Sequence, residues 1–211
     1  MTNTELSQLE RTLRRGADTD VGGAAQAATL AAIAAADREG IVDVGVATIE
    51  SPVGDLFVAV SGRGLVRVAY DPVDALDELA ARVSPRVVEA PGKIDPVRRQ
   101  LDEYFEARRR RFELDVDLSL ATAFGRRVLE ATARVPAGEV VTYGELAARI
   151  GKPRAARAVG NALGANPVAI VVPCHRVVPA GGGVGNYGGG PERKAFLLDL
   201  EHGDTSLTAR R

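Results

Sequence analysis

The chain of 211 residues carries 27 Lys and Arg against 28 Asp and Glu, a formal net charge of −1, and 45% of its residues are hydrophobic. That length accommodates two small domains or one large one, and the near-neutral balance excludes a general positive field for polyanions, so any nucleic-acid contact has to be local. One cysteine and two histidines exclude an internal disulfide and a four-ligand Cys/His zinc site, so the default expectation is a reducing cytoplasm with no structural metal.

Residues 1–40 read as a helical arm with pieces at Thr4 to Arg14 and Gly23 to Arg38 around a Gly/Asp-rich break. Twin arginines precede its alanine-rich run, but acids follow them, and Gln26 and Thr29 interrupt a stretch too short to span a bilayer. From Val42 the texture changes. "VDVGVATIES", "GDLFVAVS" and "GLVRVAYD" are short Val-rich runs with Gly or Pro between them, which predicts a small antiparallel sheet. Two helices follow, "DALDELAARVS" with an apolar face of Leu76, Leu79 and Val83, and "DPVRRQLDEYFEARRRR" with Val97, Leu101 and Phe105 spaced by four. Residues 41–117 therefore read as an α/β domain. The run Arg108 to Arg111 reads as a solvated helix end favoured by the dipole rather than as a nucleic-acid contact.

After "FELDVDLSLA" the pattern becomes helical through "AFGRRVLEATARV", "TYGELAARI" and "PRAARAVGNALG", giving a mostly α domain over 118–205 and a tail at 206–211. Thr142 is suited to cap the second of these helices and Pro153 to open the third, and the short "GKP" between them predicts a helix-turn-helix. Ala155, Val159, Ala162 and Leu163 share one face of the third helix, and Arg154, Arg157 and Asn161 share the opposite one. Ala158, Gly160 and Gly164 fill the exposed flank. Each helix-interior glycine costs about 1 kcal/mol relative to alanine. Either close packing inside the protein or the approach of DNA accounts for them, and the pattern alone does not separate the two.

The only cysteine stands in "NPVAIVVPCHRVVP". A lone cysteine is most often an inert small hydrophobe. Here "VAIVV" reads as a buried strand that Pro173 ends, placing Cys174 at the mouth of the domain beside His175 and Arg176, where both cations would lower the thiol pKa and favour the nucleophilic thiolate. Neighbours in an extended chain point to opposite sides, so His175 is expected to act on Cys174 through a water. A histidine base needs an acid to fix its tautomer. Glu201 in "PERKAFLLDLEHG" is the strongest candidate, with Asp199 and Glu192 as competitors on spacing.

"PCHRVV", with "NP" upstream and "GNYGGG" downstream, resembles the O6-alkylguanine-DNA alkyltransferase family, and the resemblance runs from "IESPVGDLFVAV" to "LLDLEHG". It implies an α/β amino-terminal domain followed by a helical carboxy-terminal domain with a helix-turn-helix. The implied activity is repair by irreversible, stoichiometric transfer of the alkyl group from O6-alkylguanine, and from O4-alkylthymine, to a cysteine. Double-stranded DNA would be bound through the minor groove by a monomer, with the base flipped and no cofactor required. By the same resemblance Cys174 is the acceptor, His175 the base, Glu201 the acid that orients it, and Asn166 the brace of the reactive turn. Tyr143 then serves the extruded guanine, and Arg157 fills the space the base leaves, with Arg154, Gly160 and Asn161 alongside it on DNA. Leu163, Tyr187 and Gly188 would wall the pocket, and the main chain at Cys174 and Val177 would read the base edge. Some members carry a serine where Gly188 stands, and some bind zinc through ligands absent here. A DNA-binding module without transfer chemistry and a cysteine hydrolase are the competing classes. An intact "PCHR" argues against the first, and adjacent Cys and His against the second.

Overall fold

The computed structural model describes residues 21–203 apart from 72 and 74, and the described residues divide into two compact units between Val42 and Asp43. The helix expected at 4–14 and the tail at 206–211 lie outside the described residues. In the first unit the Ala-rich stretch is helix α1, Val21–Arg38. Among the described residues no helix is long and apolar enough to cross a membrane.

The second unit opens with strands β1 (Val44–Ile49), β2 (Leu56–Ser61) and β3 (Gly64–Ala69). Helix α2 (Ala75–Arg82), strand β4 (Val87–Glu89) and helix α3 (Pro91–Phe105) follow. The sheet order is β3-β2-β1-β4. The sheet is mixed, not antiparallel as expected: β1–β2 and β2–β3 are antiparallel, but β4 lies parallel to β1, with Val44 opposite Val87. The cause is connectivity, since α2 crosses over and returns the chain to the β1 edge in the same direction as β1. Alternation along the strands divides two cores. Val44, Val46, Phe57, Ala59 and Val66 pack with Ala75 and Leu79 of α2, whereas Ala47, Ile49, Leu56, Val58, Leu65 and Val68 pack with α3 and the helical half.

In α2 the inward residue is Ala75, and Leu76 is 46% exposed, because the face runs 75, 79, 83 at spacing four. Helix α3 starts at Pro91 and ends at Phe105, so the arginine run lies beyond it rather than in its last turn. Ala107 adopts φ 57, which turns the chain back. Arg109 then pairs with Glu103 at 2.7 Å, and Arg110 reaches the Glu201 carbonyl at 3.2 Å.

The helical half contains α4 (Ala123–Thr132), β5 (Val141–Thr142), α5 (Tyr143–Arg149) and α6 (Ala156–Gly164). A 3₁₀ turn (Cys174–Arg176), β6 (Val177–Val178) and α7 (Pro191–His202) complete it. Thr142 caps α5 in a capping box, its Oγ1 accepting from Glu145 N at 3.2 Å while Glu145 Oε2 accepts from Thr142 N at 2.7 Å. Pro153 lies in the turn before α6, whose first residue is Ala156, so it does not open the helix as expected. Val159 and Leu163 face inward, and Arg154, Arg157 and Asn161 are exposed.

Candidate active site

"VAIVV" is not a strand. Only its start pairs with the sheet, Val68 N donating to Pro167 O at 2.9 Å and Ala169 N to Val68 O at 3.1 Å. Ile170 then takes φ 69 and the chain curls, Val172 N returning to Val168 O at 3.0 Å. Pro173, at φ −82 and ψ 63, forms an inverse γ-turn in which Cys174 N donates to Val172 O at 2.8 Å. The apolar run is buried as read, but it is a tight knot on the outer edge of β3. Asn166 ties it together: its Oδ1 accepts from Val168 N at 3.0 Å, and its Nδ2 donates to Val172 O at 2.9 Å and to the Cys174 Sγ at 3.2 Å.

Because residues 174–176 form a 3₁₀ turn rather than extended chain, Cys174, His175 and Arg176 diverge. Cys174 lines a cleft of about 690 Å3, and His175 and Arg176 turn inward onto Glu201. Glu201 Oε1 lies 2.9 Å from His175 Nε2, and its two oxygens accept from Arg176 Nη2 at 2.7 Å and Nε at 2.8 Å. Tyr104 OH donates to Oε1 at 2.8 Å, and Gly138 N to Oε2 at 3.3 Å. Burial pushes the Glu201 carboxyl up, but the bonds from His175 and Arg176 outweigh it and hold the group well below the usual carboxylate range. Of the competing acids, Glu192 is exposed and Asp199 half-buried, and neither bonds to His175.

An ionised carboxylate can only accept, so His175 carries its proton on Nε2 and presents Nδ1 as the basic nitrogen. That Nδ1 is buried and has no hydrogen-bond partner among the described residues. Burial lowers the imidazole pKa more than Glu201 raises it, and burial likewise pushes the Cys174 thiol up. This corrects the expectation that His175 and Arg176 would lower the thiol pKa: Arg176 is consumed by Glu201 and by Val135 O at 2.5 Å. What favours the thiolate is the Asn166 amide, then the charge on Lys194 and the backbone amides of Cys174 and His175.

Tyr143, Arg157, Gly160, Asn161, Leu163, Tyr187 and Gly188 line the same cleft. Val177 does not. It is fully buried, its amide bonds to Cys174 O, and its carbonyl accepts from Lys194. Arg154 is exposed outside the lining. Tyr187 leans on the first half of the unit, its OH 2.8 Å from Tyr70 OH and its ring edge-on to Tyr70 at 5.8 Å. Gly189 is a glycine of necessity, since a Cβ there would stand 2.5 Å from the Tyr70 ring. Arg193 covers the Tyr70 ring at 4.8 Å.

The two α6 glycines are different. A Cβ at Gly160 would meet only the Tyr143 ring at 3.8 Å, ordinary contact, and one at Gly164 would meet nothing within 4 Å. Close packing inside the protein therefore does not explain either.

Sequence reading missed Tyr104, Lys194 and the true role of Arg176. Spacing held a signal for two of them. Tyr104 shares the buried α3 face with Val97 and Leu101, and Lys194 sits three and seven residues before Leu197 and Glu201, both inward-facing.

Residues 44–118 match the 6-O-methylguanine DNA methyltransferase ribonuclease-like domain, and residues 123–203 match the DNA binding domain of the same protein. The chain belongs to the O6-alkylguanine-DNA alkyltransferase family. A methylated-DNA–protein-cysteine methyltransferase of Mycobacterium tuberculosis is 42% identical over 154 residues, covering 73% of this chain and 90% of the relative. An inducible alkyltransferase of the same name from Bacillus subtilis is 39% identical over 151 residues, covering 70% and 84%. The crystal structure of Mycobacterium tuberculosis OGT in complex with DNA superposes with a TM-score of 0.66 at 40% identity, covering 75% of this chain and 93% of the other.

Proposed function

We propose that this alkyltransferase repairs DNA by moving the alkyl group of O6-alkylguanine, and of O4-alkylthymine, onto the Cys174 sulfur after the base has left the duplex. The observation that carries the reading is the placement of the only cysteine in the lining of a cleft, beside a neutral imidazole whose Nε2 is anchored on a carboxylate. His175 Nδ1 takes the thiol proton through a water. The sulfur attacks the alkyl carbon, the C–S bond forms as the C–O6 bond breaks, and the electron pair goes to the base, which takes a proton from the Tyr143 phenol, while the proton held on His175 passes back through water to restore the phenol. The products are a thioether and a normal guanine. Water does not hydrolyse a thioether, so each molecule acts once and no cofactor takes part.

The DNA contact follows from α5 and α6, read as a helix-turn-helix in the domain at 118–205, with the α/β domain at 41–117 buttressing Tyr187 through Tyr70. Gly160 and Gly164, which nothing inside the protein demands, allow the duplex to come close to α6. Arg157 occupies the gap left by the flipped base, with Arg154 and Asn161 alongside, and a minor-groove approach suits this small-residue surface. The test is intact mass after incubation with a duplex holding one O6-methylguanine. A gain of one methyl by the wild type and none by Cys174→Ala supports the reading, and repeated turnover without any mass change refutes it.

A further inference from the structure

Val172, Pro173 and Arg176 of the reactive turn also line a second cleft, of about 1250 Å3, which does not contain Cys174. Another part of its lining is the extended segment 111–118, which leads from α3 to the helical half. This segment runs parallel to the start of β3 on its outer edge. Leu65 N donates to Asp115 O at 2.8 Å, and Asp117 N donates to Leu65 O at 2.9 Å. Gln100 fixes the residues before them, its Nε2 donating to Glu113 O at 3.1 Å and its Oε1 accepting from Glu113 N at 2.7 Å. The approach to β3 is so close that a Cβ on Gly64 would collide with the Asp115 carbonyl.

In an extended chain the N–H and C=O groups of alternate residues point to opposite edges. Those of Glu113, Asp115 and Asp117 turn toward α3 and β3. Those of Phe112, Leu114 and Val116 have no hydrogen-bond partner among the described residues, so the segment brings an unpaired strand edge to the cleft. The same three side chains and Leu118 are half-buried and rest on the main core. Of the arginines in the lining, Arg63 is paired with Asp117 and Arg176 with Glu201. Arg110, Arg111, Arg126 and Arg134 are exposed and have no carboxylate partner among the described residues, and the only other acid in the lining is Glu130.

We propose that this edge is a docking site for an extended acidic segment of a partner protein, which adds a strand beside residues 112–116, lays apolar side chains on the half-buried floor and offers carboxylates to the four arginines. Charge selects the occupant, since a cationic segment would be repelled. The backbone favours a peptide over nucleic acid. Phosphate oxygens accept hydrogen bonds but donate none, so they would leave the carbonyls of Phe112, Leu114 and Val116 unmet, whereas a strand supplies donors and acceptors in alternation. The site is separate from the cleft that holds Cys174 and does not rest on alkyl transfer.

The test is fluorescence anisotropy of the full chain with a labelled peptide of alternating aspartate and valine, and with two versions of it methylated on the valine amides or on the aspartate amides. Saturable binding is expected, and only one methylated version should retain it, because a single edge of the peptide meets the segment. Replacing Arg126→Glu together with Arg134→Glu, both on the exposed surface of α4 and the turn after it, should weaken binding about tenfold with an unchanged thermal melt. No saturable binding, equal behaviour of the two methylated peptides, or full affinity in the double variant overturns the proposal. So does displacement of the peptide by an undamaged duplex, which would give the groove to nucleic acid, or a dimer in sedimentation that the peptide competes away, which would give the edge to a second copy of the chain. None of these arms measures alkyl transfer, so a wild type that takes no methyl from DNA would sink the repair reading separately.

Discussion

Replacing Glu201 by glutamine tests the core of the site most directly. The carboxylate takes four donors besides a backbone amide: His175 Nε2, Arg176 Nε and Nη2, and the Tyr104 hydroxyl. An amide offers one oxygen and turns its NH2 toward a guanidinium that is 7% exposed in the side chain. Breaking one partner of a buried charge pair costs about 3–5 kcal/mol, which in a unit of this size lowers the melting temperature by roughly 6–20 °C. Transfer should also slow, because the charge that raises the His175 pKa is gone and Nε2 loses its obligate acceptor. The sign of the pH dependence follows from the depressed Glu201 pKa. Its stabilisation is complete above the unfolded glutamate value, about 4.3, and is lost as pH falls through the folded value. Wild type should therefore lose stability below about pH 4 more steeply than Glu201→Gln. Thermal melts at pH 7 and pH 3.5, with single-turnover methyl transfer at 15 °C, check both parts. Melts within about 1 kcal/mol and rates within twofold at pH 7 would refute the argument.

Gly160→Ala and Gly164→Ala should each leave the free protein as stable or stabilise it by up to about 1 kcal/mol, while weakening DNA affinity; unchanged affinity in a titration would remove DNA approach as the reason for these glycines. Asn166→Ala deprives the Cys174 sulfur and Val172 O of a donor, and should cost about 1–3 kcal/mol and raise the thiol pKa, read by urea denaturation and by alkylation against pH. Gly189→Ala should displace the Tyr70 ring and with it Tyr187, lowering the melting temperature and the transfer rate together; an unchanged melt would show that Tyr70 gives way freely. A Cβ at Gly188 would meet no atom within 4 Å, so Gly188→Ser should fold normally; a changed ratio of benzyl to methyl transfer rates, shared by Gly188→Ala, would report pocket size, and an unchanged ratio would remove Gly188 from lesion selection.

Much of the molecule was readable from local pattern. Alternating Val-rich runs separated by turn residues specified β1 to β3, and Thr142 with Glu145 announced the start of α5, because these signals are complete within a few residues. Spacing also placed Arg157 and Asn161 outward on α6 and Val159 inward. The chemistry was legible because the one thiol stands beside one of two histidines in "PCHR". What the sequence left open depended on partners far along the chain. The parallel seat of β4 came from where α2 returned the strand, and the apolar run before Cys174 was a knot rather than a strand because Asn166 and the edge of β3 capture its polar groups. Glu201 prevailed over Asp199 and Glu192 because α7 turns it inward, where Arg176 and Tyr104 compensate its charge. Pairwise spacing gives a residue its face on a helix. The group that meets it across 26 or 97 residues, and so whether a buried charge is stable, is decided only when the elements pack.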